Sequence, residues 1–131
     1  MKEFDKWNDV KKETEKDNVS FGFKNRDIFY IKMGQNIGYE QNGKGDSFVR
    51  PIVVLKGFNR NMFFGIPLSS QIKEGKFYYQ FEFMKGDHLS TNIALLSQMR
   101  LFSSKRLLNK IGVMDKNNFE EMKTKFKKLI D

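Results

Sequence analysis

Arg50-Pro51-Ile52-Val53-Val54-Leu55-Lys56 and Met62-Phe63-Phe64-Gly65-Ile66-Pro67-Leu68-Ser69, divided by Gly57-Phe58-Asn59-Arg60-Asn61, form the stretch from which the fold can be read. The first run is β-branched, the second aromatic and apolar, and the cluster between them is turn chemistry. Two antiparallel strands joined as a hairpin are expected. Pro51 suits the start of a strand, where no ladder hydrogen bond is yet required of its nitrogen.

Upstream of the hairpin, residues 27–33 (DIFYIKM) have the composition of a buried strand. Residues 34–49 follow with glycines at Gly34, Gly38, Gly43 and Gly45. So long a connection in a small domain usually carries function. At the N-terminus, Phe4, Trp7 and Val10 recur at three-residue spacing among charges of both signs, which predicts a short amphipathic helix over residues 1–18. A helix of that length is marginal alone, so its apolar stripe must dock on the domain or a partner.

Downstream, Lys73-Glu74-Gly75 reads as a turn and residues 77–84 as a strand whose Gln80 and Glu82 face solvent or ligand. After a turn at Gly86-Asp87-His88, residues 92–102 read as one long strand, residues 103–109 as a short helix and residues 111–114 as a last strand. Asp115 is a good N-cap for a terminal helix with an apolar stripe of Phe119, Met122, Phe126, Leu129 and Ile130. Five or six short strands with three helices predict a mainly β, α+β architecture: a small antiparallel barrel or strongly bent sheet. The expected organisation is one domain over residues 1–131, with an N-terminal extension at 1–18, the barrel at 26–114 and the helix at 115–131.

At 131 residues the chain can bury a single core without staples. It has no cysteine, which removes disulfides and thiolate metal sites and fits a reducing compartment. No apolar run is long enough for a membrane span and no signal-peptide pattern opens the chain, so a soluble cytoplasmic protein is expected. The net charge of +8 is concentrated between residues 19 and 115, which hold 14 basic and 7 acidic residues. RNA, DNA or an acidic protein would suit such a surface, and so would solubility alone.

Cleaving RNA without a metal requires a group for the 2′-hydroxyl, donors for the charge growing on phosphorus, and a proton for the leaving oxygen. Arg50 fits the second role, because its forked donors match phosphate oxygens and stay charged near neutral pH. Glu40 and Gln41 stand in the glycine-rich loop that feeds its strand. Ser69, Ser70 and Gln71 end the second hairpin strand with two hydroxyls and an amide that can hold a phosphate or cap a turn. No Gly-x-Ser-x-Gly elbow surrounds them, so they are binders rather than nucleophiles. His88, the one histidine, reads as a surface residue, and no metal ligand set, Walker loop or dinucleotide fingerprint is present. No cofactor and no metal are expected.

Five blocks in order, Asn36-Ile-Gly-Tyr-Glu-Gln41, Arg50-Pro-Ile-Val-Val-Leu55, Pro67-Leu-Ser-Ser-Gln-Ile72, Leu95-Leu-Ser-Gln-Met-Arg100 and Lys110-Ile-Gly112, resemble those of the MazF/PemK toxins of type II toxin-antitoxin systems. The resemblance spans residues 27–130. It implies an SH3-like barrel of the MazF/PemK/CcdB type, a homodimer, inhibition by a cognate antitoxin, and sequence-specific, metal-independent cleavage of single-stranded mRNA that stops translation and growth. DNA contact through the antitoxin complex is compatible with it. Arg50 matches the family's catalytic arginine and Ser69 the hydroxyl residue, commonly threonine, at the scissile phosphate. Glu40, Gln41, Ser70, Gln71 and Gln98 fall in the matching blocks as supporting or substrate-binding residues. The chain departs from familiar members in its longer loop at 42–49, its charged segment at 1–18, and serine in place of threonine. A same-fold toxin that binds a protein such as DNA gyrase, and a non-catalytic RNA-binding module, are the alternative readings.

Overall fold

The computed structural model describes residues 22–33 and 49–131. The expected N-terminal helix and the loop bearing Glu40 and Gln41 lie outside the described residues. Among the described residues there are seven strands: β1 (Asp27–Lys32), β2 (Val49–Gly57), β3 (Met62–Ser69), β4 (Tyr78–Lys85), β5 (His88–Leu95), β6 (Arg100–Ser103) and β7 (Leu107–Val113). The helix α1 (Lys116–Ile130) follows β7. All pairings are antiparallel, in the order β4-β5-β3-β2-β1-β7, with β6 also against β3. This is the curled, barrel-like sheet with a C-terminal helix that the patterning implied.

The hairpin of β2 and β3 is its centre. Ile52 pairs with Pro67 and Val53 with Ile66, and a register shift after Val54 bends the ladder. Side chains of β2 alternate between two cores. Val53 joins Ile28, Ile66 and Leu68 beneath α1, where Phe119 and Met122 complete the packing. Ile52 and Val54 join Ile31, Phe63 and Phe102 on the other face. Both faces of the central strands are therefore buried, which explains their nearly continuous apolar runs.

Three expectations change. Residues 92–102 are not one strand, because a 3-10 turn at Leu96–Gln98 separates β5 from β6. Both halves pair with β3, Ala94 opposite Leu68 and Arg100 opposite Gly65, but in different registers, and the three-residue turn takes up the surplus. Residues 103–109 hold only a 3-10 turn, Ser104–Arg106, since Leu107 already pairs with Ile31 and is buried there. Ile130 is 71% exposed and lies off the buried stripe, whereas Phe126 and Leu129 pack against it.

Close approach brings the sheet's ends together. A Cβ on Gly112 of β7 would lie 2.7 Å from the Phe83 ring and 3.0 Å from the Met84 carbonyl oxygen, both on β4, so only glycine fits there. Lys85, at the end of β4, donates to the Tyr30 hydroxyl of β1 and sits 4.9 Å from that ring's centre. The Asp115 carboxylate accepts from the amides of Asn117 and Asn118, capping α1. The Tyr79 hydroxyl of β4 reaches Glu121 at 3.0 Å and Asn118 at 3.1 Å, tying the helix to the sheet. No helix among the described residues is long and apolar enough to cross a membrane.

Candidate functional site

Arg50 is the second residue of β2 and is 4% exposed. Alternation puts it on the same face as Ile52 and Val54, at the end of the second core and opposite Ile31 of β1. Its Nη1 donates to the Leu68 carbonyl of β3 at 3.1 Å, which anchors the guanidinium across the hairpin. Burial pushes its pKa below the ordinary arginine value. A guanidinium starts so high that it stays protonated at neutral pH. The result is a permanent cation in a partly dry setting, where its field is less screened than at the surface.

Carrying the β2–β3 register two residues beyond Ile52 and Pro67 sets Arg50 opposite Ser69. Ser69, also buried, ends β3, and its hydroxyl oxygen accepts from the Gln71 amide at 3.1 Å. A serine hydroxyl has one proton and two lone pairs, so this bond leaves the proton available for an anion. Arg50 and Ser69 thus share one cross-strand row at the end of an apolar core. A fixed cation beside a hydroxyl donor can hold a phosphate oxygen and stabilise charge that grows on it.

Ser70 and Gln71 are exposed in the connection after β3, where Gln71 contributes its main-chain amide. Gln98 is half-buried in the turn between β5 and β6 and makes no hydrogen bond to Arg50 or Ser69. Glu40 and Gln41 lie outside the described residues. His88 is exposed, with Asp87 3.8 Å from its Nδ1, as a surface residue should be. The Leu68 carbonyl that anchors Arg50 carries no signal in the sequence, because a main-chain acceptor has no residue type of its own.

Comparison with known proteins bears on the family and the fold. Residues 24–130 match the family described as PemK-like, MazF-like toxin of type II toxin-antitoxin system. No curated protein sequence matches the chain. Among solved structures, MazF (Form-I) from Deinococcus radiodurans superposes with a TM-score of 0.67 at 16% identity, covering 82% of this chain and 96% of its own. The Mycobacterium tuberculosis toxin MazF-mt6 gives 0.60 at 9% identity, with 81% and 97% covered. An endoribonuclease in complex with its cognate antitoxin, from a mycobacterial species, gives 0.61 at 8% identity, with 83% and 95% covered. At these identities the structural likeness speaks for the fold, and the family match extends over most of the chain. The chain belongs to the PemK-like, MazF-like toxins of type II toxin-antitoxin systems.

Proposed function

We propose that this toxin is an endoribonuclease that cuts single-stranded RNA, with Arg50 and Ser69 at the scissile phosphate. The observation that carries the reading is the buried Arg50 guanidinium, anchored on the Leu68 carbonyl and set in one row with Ser69. In the reaction water or another group takes the 2′-hydroxyl proton, the 2′-oxygen bonds to phosphorus, and the bond from phosphorus to the 5′-oxygen breaks. Negative charge on the non-bridging oxygens rises between these events, and Arg50 with the Ser69 proton stabilises it. Arg50 keeps its proton too firmly to be the general acid, so water or another group protonates the leaving oxygen. Glu40, Gln41, Ser70, Gln71 and Gln98 are assigned supporting or substrate-binding roles by the family pattern alone.

The protein acts in this reading as a cytoplasmic homodimer neutralised by a cognate antitoxin. A fold neighbour solved as an endoribonuclease with its cognate antitoxin supports that partner. The test is incubation of purified protein with long mixed-sequence RNA in EDTA, beside Arg50→Ala. Discrete cuts by the parent, reduced at least about a hundredfold in the variant, are expected. Equal cutting by both would show that Arg50 is not the catalytic arginine. No cutting by a folded parent would transfer the function to protein or RNA binding.

A further inference from the structure

The cross-strand row that contains Arg50 and Ser69 does not end at β3. Ser69 pairs with Ile93 of β5, and Ile93 pairs with Gln80 of β4. Directly opposed residues of antiparallel strands point to one face, so Gln80 projects on the same side of the sheet as Arg50 and Ser69. Two inter-strand spacings separate Gln80 from Ser69, about 10 Å. Buried Ile93 lies between them. The Gln80 side chain is exposed and holds no hydrogen bond among the described residues.

Its neighbours favour a base over a phosphate at this position. Glu82, one step along the same face of β4, accepts from the Thr91 hydroxyl at 3.3 Å and puts a negative charge beside Gln80. That charge repels the RNA backbone but not an uncharged base edge. One step the other way, half-buried Tyr78 lies on the same face, with the Lys73 ammonium 5.9 Å from its ring centre and the Phe77 ring edge-on at 6.5 Å. An aromatic beside a carboxamide is a pairing suited to an unstacked base, which stacks on the ring while its edge meets the donor and acceptor of the amide.

We infer that Gln80 is a specificity-determining residue, reading by its carboxamide one base near the scissile phosphate. This rests on the endoribonuclease reading above. It assigns Gln80 contact with substrate and no part in the bond-breaking step.

The experiment maps cut ends on a long mixed-sequence RNA for the parent, Gln80→Ala and Gln80→Glu, with thermal melting of each to confirm folding. Gln80→Glu keeps the shape and replaces the donor by an acceptor. Expected is a loss of base selectivity of about tenfold or more at a single position in Gln80→Ala, with the other positions kept. Gln80→Glu should change which base is preferred at that same position. If the parent cuts and both variants retain its preference at every position, the inference is overturned while the nuclease reading stands. If the parent does not cut, the nuclease reading itself is overturned.

Discussion

At the scale of single residues, what matters is how much each side chain is committed before substrate arrives. Ser69 spends one lone pair on the Gln71 amide and retains its proton, so Ser69→Ala should lower the cleavage rate by about tenfold or more while the melting temperature changes little. Single-turnover kinetics beside thermal melting separates those two effects. The pairing of Arg50 with Ser69 was legible because both stand in sequence blocks whose order and chemistry are specific. The anchor on Leu68 was not legible, since any residue supplies a carbonyl. Gln80 was legible only as a polar residue on one strand face. Its place in the Arg50–Ser69 row depends on β5 lying between β3 and β4, which chain order does not reveal.

At the scale of elements, the contacts that close the sheet and dock the helix are the places to test. Gly112→Ala drives a methyl group into the Phe83 ring and the Met84 carbonyl, and should cost about 1–3 kcal/mol in a denaturant titration. Tyr79 offers a pH test. Burial first, then its bond to Glu121, raises its pKa from 10.0 to about 12. The fold therefore favours the neutral phenol, and this stabilisation is complete below pH 10 and disappears as pH rises toward 12. Tyr79→Phe should lose about 1 kcal/mol near neutrality and show a flatter decline over that alkaline window. The hairpin and α1 were readable from period and caps. The break at Leu96–Gln98 was not, because an alternating pattern cannot show that β5 and β6 both seek β3 in conflicting registers.

At the scale of the whole molecule, light scattering of the purified toxin should return twice the 15.5 kDa chain mass, and a monomer at micromolar concentration would remove the dimer from the proposed function. The charge distribution was legible as an excess over residues 19–115, but the partner it serves was not, because charge alone does not choose between RNA and an acidic protein. One feature of the architecture constrains control of the toxin. Arg50 is carried by β2, a strand with neighbours on both sides at the centre of the sheet, rather than by a separable flap. Backbone amides in such a strand exchange with solvent only when much of the domain opens. The main chain that carries Arg50 is therefore held in place by the sheet, and an agent that silences the proposed site without unfolding the domain acts on the guanidinium itself or on the space in front of it.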